Sequence, residues 1–209
     1  MLIDPHGDDI KRLQSLGLLE TYRRLHPGQG TQNVCFCFDN LFIELLWIND
    51  EAEVRSNTIA RTGLYERSRW RLEGTNRFGI SWRGPMAGAA PPIPTWKFSP
   101  PYLPAEAGID VATDSDDPHQ PMMFKSPGGA PPADWSIEKK GALQHPSGWG
   151  RVLGIELFLP RSVVPGQALQ SMARHTILSL GVASNDQFSM RLHVDRLGHA
   201  QPTILRLPA

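Results

Sequence analysis

The chain has 209 residues, and its 21 basic and 21 acidic side chains give a formal net charge of zero. That balance argues against nucleic acid as the main partner, because a phosphate backbone calls for an excess of Lys and Arg on one face. With 40% hydrophobic residues the chain can bury a real core, which excludes wholesale disorder, and no apolar run reaches the roughly 18 residues of a membrane span.

The elements begin with a short strand over Leu2–Asp4, then a helix opening at Asp8 or Asp9 with Ile10, Leu13 and Leu16 at core spacing and Gly17 as its C-cap. LLETYRRLH reads as extended, and HPGQGT as a loop. NVCFCF and LFIELLWI are strands rich in aromatic and β-branched residues, and only Asp39-Asn40 between them predicts a hairpin. Asp50 with Glu53 forms a capping box for a short helix through Val54. FGISWRG is a further strand. Twelve of the 19 prolines fall between Pro85 and Pro132; proline lacks a backbone donor, so this stretch reads as loops around three short strands, TWKFSP, GIDVAT and PMMFKSP. GIELFLP is then a strand, Gln167–Leu180 a helix, and FSMRLHVD and TILRLP closing strands. The recurring order of strand, helix and several strands predicts an α+β fold with mostly antiparallel pairing, built from repeated units. Three stretches follow within one compact domain: 1–84, a proline-rich 85–149 and a C-terminal 150–209.

Glu44 is the most informative residue. Alternation along LFIELLWI puts Phe42, Glu44, Leu46 and Ile48 on one face and Ile43, Leu45 and Trp47 on the other. Two apolar faces predict a central strand covered on both sides. An ionised carboxylate there needs a metal, a cation or hydrogen-bond donors; lacking them, its pKa rises toward the range of a general acid or base. The alternatives are a metal or substrate role, a structural salt bridge to Arg69, Arg71 or Arg83, or simple exposure at an edge.

HPGQGTQNVCFCFDNLFIELLWINDEAEVRS closely resembles the glyoxalase-like branch of the vicinal oxygen chelate superfamily. The similarity is strongest over residues 18–84 and weaker through the proline-rich centre and HPSGWGRVLGIELFLP. The resemblance implies βαβββ-type modules whose curled, mixed sheets surround a cavity. It also implies a divalent metal that chelates adjacent oxygens of a small oxygenated substrate, in lyase or isomerase chemistry. A carboxylate near the end of a module's last strand is a metal ligand in metal-dependent members, and Glu44 matches it, as ligand or as base. The family's other ligands, often His, come from the first strand of each module. Here that strand is Leu2-Ile3-Asp4 with His6 just past it, and the chain would begin inside it. FGISWRG offers Phe78, Ile80 and Ser81, and PMMFKSP offers Phe124 and Lys125, so one matching position is filled where three or four ligands are needed. GIELFLP carries Glu156, to which the resemblance assigns no role. The alternative function is metal-free binding or sequestration of a small molecule; a third is an interaction module whose cavity its own side chains fill.

Other constellations are less specific. The glycines of His26–Thr31 could present N–H groups to an anion or simply make a tight turn, and His26 is placed near the cavity mouth as a second catalytic candidate. Cys35 and Cys37 share a strand face too far apart for an unstrained disulfide and read as core residues; two cysteines make no disulfide framework. His175 reads as a helical surface residue, His193 and His199 flank the last hairpin, and His119 and His145 sit in proline-rich loops. The six tryptophans suit an aromatic pocket or an ordinary core equally. Arg61, Arg67, Arg69 and Arg71 alternate with Glu66 and Glu73, as on a solvated, self-paired surface. The expected partners are a small molecule and a second copy in a homodimer, with no nucleic acid or membrane. The opening residues lack a signal peptide's apolar region, so the expected location is cytoplasmic.

Overall fold

In a computed structural model, which describes residues 1–84 and 93–207, the chain forms an α+β fold with three sheets, mixed and antiparallel, none of them closed. Helix α1 (Asp9–Ser15) precedes a meander of β1 (Arg23–His26), β2 (Thr31–Cys37) and β3 (Phe42–Ile48), with β2 in the middle. Four short helices follow, α2 (Glu51–Val54), α3 (Asn57–Ala60), α4 (Leu64–Ser68) and α5 (Trp70–Glu73). The second sheet holds β4 (Gly79–Trp82), β5 (Thr95–Phe98), β6 (Ile109–Ala112) and β7 (Met122–Lys125), in the order β4-β7-β6-β5. Its β4 and β7 run parallel. After α6 (Ile137–Lys140), the third sheet holds β8 (Trp149–Leu159), β9 (Leu178–Val182), β10 (Ser189–Arg196) and β11 (Thr203–Arg206), in the order β11-β10-β8-β9. Helix α7 (Gln167–His175) makes the crossover between the parallel β8 and β9. The loop reading of residues 85–92 lies outside the described residues. No helix among those described is long and apolar enough to cross a membrane.

The hairpin of β2 and β3 forms in the expected register, Cys35 opposite Glu44 and Phe36 opposite Ile43. Alternation then divides the pair. Val34, Phe36, Phe38, Ile43, Leu45 and Trp47 enter the main core with Leu157, Leu169 and Met172, and each such burial contributes about 1.5–3 kcal/mol. Asn40 in the turn is tied to the third sheet by both amide atoms, donating to the Val152 carbonyl at 2.8 Å and accepting from its N–H at 3.1 Å.

Several expectations are corrected. Among the described residues β3 is the edge of its sheet, extended only by a parallel bridge from Leu2 to Leu46, so the Leu2–Asp4 strand shrinks to one residue. Helix α7 stops at His175, five residues short of Leu180. The Thr176 hydroxyl donates to the Met172 carbonyl at 2.7 Å and closes the last turn, after which Leu178 and Leu180 belong to β9. Apolar residues three apart fit a helix, but here Ile177 and Leu180 lie beyond its end. The capping box is half made: Asp50 accepts from the Glu53 N–H at 3.0 Å, while the Glu53 carboxylate turns to the Gly28 and Gly30 N–H groups at 2.8 and 2.9 Å. The glycine loop thus binds an anion that the chain itself supplies. Gly30 has φ +73, and a Cβ there would lie 2.2 Å from the Asp50 carbonyl oxygen. Gly17, with φ +81, ends α1 as expected.

Arg67 departs furthest from its reading. It is only 1% exposed, and its guanidinium donates to backbone carbonyls alone: Asn76 and Pro118 at 3.1 Å each, Ser115 at 2.9 Å, Asp117 at 3.2 Å, and Gln120. These carbonyls come from the segments leading into β4 and β7, so one α4 side chain gathers the ends of the two parallel strands. Burial pushes its pKa down to about 10, which leaves it charged at neutral pH. Arg61 and Arg69 do form exposed pairs, with Asp116 and Glu73. Arg77 is another buried pin: Nε donates to the Leu2 carbonyl at 2.8 Å, Nη2 pairs with Asp9 at 3.0 Å, and the guanidinium stacks on Trp70 at 3.9 Å.

His145 finds a structural role. Its Nδ1 accepts from the Leu19 N–H and its Nε2–H donates to the Cys37 carbonyl, each at 3.0 Å, an arrangement that requires the neutral ring. Burial pushes its pKa below the ordinary 6.5.

Two outcomes are expected. Arg67→Met leaves its carbonyl acceptors without their donor and should lower the unfolding free energy by about 3 kcal/mol or more, measured by urea titration. The unfolded His145 takes up its proton at a higher pH than the folded one, so its contribution is full above about pH 6.5 and is lost as pH falls below it. The urea midpoint should therefore fall between pH 7.5 and 5.5, and less steeply in His145→Gln.

Candidate functional site

A cleft of about 590 Å³ opens over the face of the first sheet that turns away from the core, within the roughly 300–1,000 Å³ usual for small-molecule sites. Pleating places Tyr22, Arg24 and His26 from the β1 segment, Asn33 from β2, and Phe42, Glu44 and Leu46 from β3 on this side. The opposing lining includes Ile80 and Trp82 of β4 and Met122 and Phe124 of β7, and it extends to Met172, Leu178 and Met190.

Glu44 is half-buried on the cleft face. Its partner is none of the three arginines considered from sequence: the Asn33 amide donates to Oε1, and Asn33 Oδ1 accepts the Arg24 N–H at 3.0 Å. The amide is thereby fixed by the sheet and holds one carboxylate oxygen, while the second has no hydrogen bond among the described residues. The backbone nitrogen of Met1 donates to the Glu44 carbonyl at 2.8 Å, steadying the edge strand.

His26 lines the same cleft and is buried. The Thr31 hydroxyl accepts from Gln29 Nε2 at 2.7 Å and lies 3.0 Å from His26 Nδ1, so it can donate its own proton to that nitrogen. Burial, the largest influence, lowers the His26 pKa and Arg24 adds to it, with Glu44 opposing both; the ring is therefore neutral at pH 7, and with Thr31 as donor to Nδ1 its proton stands on Nε2. Tyr102 stacks on His26 at 4.7 Å and beneath Arg24 at 4.9 Å. Its pKa is pushed up to about 12, mainly by burial. Glu44 and His26 are thus brought to one cleft, joined by Asn33 and Tyr102, which sequence reasoning passed over. Asn33 was legible, since it shares the strand face of Cys35, opposite Glu44.

The other candidates lie elsewhere. Glu156 pairs with His193 at 3.0 Å on the third sheet. Cys35 and Cys37 are buried free thiols; burial raises the pKa of both, which makes them poor nucleophiles. Of the six tryptophans, Trp82 and Trp135 line the cleft, Trp47 and Trp149 belong to the core, and Trp70 and Trp96 lie under arginines. His175 lines the far end of the cleft and donates from Nδ1 to the Ser171 carbonyl at 2.8 Å.

The donor set does not fit a divalent metal. Among the described residues no three His, Cys, Asp or Glu side chains converge, the His26 Nδ1 is engaged by Thr31, and Asn33 holds one oxygen of Glu44. The arrangement can instead accept a hydrogen bond from a ligand at Glu44 and donate one from His26. Comparison with family models, curated proteins and solved structures gives no match for this chain.

Replacing Asn33 by Asp keeps the acceptor for the Arg24 N–H but sets a second carboxylate against Glu44. A loss of about 1–3 kcal/mol at pH 7 is expected, shrinking as pH falls toward 4 and one of the pair takes up a proton. A thermal melt series over that pH range measures it.

Proposed function

We propose that this protein is a metal-independent small-molecule binding member of the vicinal oxygen chelate superfamily. The cleft holds the ligand's apolar body, and Glu44 anchors a hydrogen-bond donor on it. The observation that carries the reading is the Glu44–Asn33 pair: a carboxylate facing a largely apolar cleft, secured by an amide rather than by a cation or converging ligands. The strand order supports the family reading. Leu2 lies parallel beside β3, the last strand of its sheet, and β4 lies parallel beside β7, the last strand of the second, as first and last strands of βαβββ-type modules curled around a cavity would.

A catalytic reading is favoured by one observation, the neutral His26 sharing the cleft with Glu44. In it the free Glu44 oxygen takes a proton from a small oxygenated substrate, in the manner of a lyase or isomerase, and the His26 Nε2–H supports the oxygen on which charge develops.

The binding reading is tested with N-phenyl-1-naphthylamine, an uncharged dye that fluoresces in apolar sites. Saturable one-to-one binding that survives EDTA is expected, with loss in Phe124→Asp and none in Leu197→Asp, an exposed position. Ni, Zn, Mn and Fe(II) should leave the melting temperature unchanged. A metal-induced rise that Glu44→Ala removes sinks the metal-independent reading, and absence of dye binding sinks the ligand reading.

A further inference from the structure

The cleft walls carry an uneven charge. Arg24, Arg83 and Lys139 line it, against the single carboxylate of Glu44 among the described residues. Two of these cations stand at the end formed by Tyr22, Phe42 and Trp135. Phe42 and Trp135 lie 5.2 Å apart, with Trp135 edge-on to Tyr22 at 6.1 Å. Lys139 Nζ sits 4.0 Å from the Trp135 ring and the Arg83 guanidinium 5.8 Å from that of Phe42. The cations thus flank an aromatic pair.

Arg83 is the more telling of the two. It is half-buried, yet among the described residues no carboxylate lies within ion-pair distance of it, and the Arg and Lys ion pairs all fall on other side chains. Its Nη1 donates to the Asn40 carbonyl at 3.0 Å. Its Nε is buried without an acceptor among the described residues. The edge formed by Nε and Nη2 is the fork that a carboxylate accepts with two parallel hydrogen bonds. Burial lowers the Arg83 pKa, opposed by the neighbouring Cys37. A buried donor without an acceptor is costly, and a ligand oxygen would relieve that cost.

Resting on the small-molecule reading of the cleft, we infer that its ligand is a planar aromatic carboxylate. Arg83 receives the carboxylate on its Nε–Nη2 edge, Lys139 adds a second positive charge, and Phe42 and Trp135 pack against the ring. The ligand's remaining polar group then reaches toward Glu44. Arg83 is on this view a specificity residue, choosing anions over neutral analogues of the same shape.

The test displaces bound N-phenyl-1-naphthylamine with 1-naphthoate or with 1-naphthamide, its uncharged counterpart. The wild type should prefer the naphthoate by on the order of tenfold. Arg83→Gln should abolish that preference whatever its affinity for the dye, with an unchanged circular dichroism spectrum and thermal melt certifying its fold. Arg83→Lys should keep part of the preference, because it retains the charge and loses the fork, and Lys139→Ala should reduce it by about two- to threefold. If the dye binds and the wild type shows no preference, or if the preference survives in Arg83→Gln, the inference is overturned and the binding cleft stands. If the dye does not bind at all, the cleft reading falls and the inference with it.

Discussion

Everything at the candidate site depends on the pairing register of β2 with β3. A β-strand turns alternate side chains to opposite faces, so a slip of one residue would carry Glu44 into the core and Leu45 into the cleft. The core side resists that slip: Val34, Phe36, Ile43 and Leu45 all stand within one apolar cluster. Hydrophobic burial on one face thereby fixes a polar constellation on the other. Asn33 shows the same economy, since one amide serves the sheet through the Arg24 N–H and the site through Glu44.

Around that hairpin, buried and half-buried polar side chains replace regular strand pairing as the means of joining the sheets. Asn40 ties the hairpin turn to Val152 of β8. His145 bridges Leu19 and Cys37. Arg67 and Arg77 gather the segments beside β4, β7 and Leu2. A proline-rich chain offers few backbone donors for long ladders, and its strands in the second sheet are four residues each. Side chains with several donors serve there as the connection. Arg67, whose guanidinium meets carbonyls alone, is the clearest instance.

The same physics separates the site from metal chemistry. A divalent ion needs several anionic or imidazole donors directed at one point. Here the carboxylate is held by an amide, the imidazole by a hydroxyl, and the opposing strands contribute Ile80, Trp82, Met122 and Phe124. Among the described residues the cleft offers an apolar body, one carboxylate and an excess of cationic side chains.

The sequence by itself determined the hairpin, the parity of Glu44, the terminus at Gly17, the shared face of the two cysteines and the α+β class. All follow from alternation, turn composition or capping within a few residues. It also marked Glu44 as out of place in an apolar strand. Tertiary structure decided that β3 lies at an edge, that α7 gives way to β9 after His175, and that Arg67 is buried although its neighbours are solvated. It alone chose Asn33 over an arginine as the partner of Glu44 and left Arg83 without a carboxylate among the described residues. The division has a physical origin. Local pattern sets which way a side chain points, whereas the partner that meets it there comes from another strand or sheet, and no spacing along the chain encodes that distance.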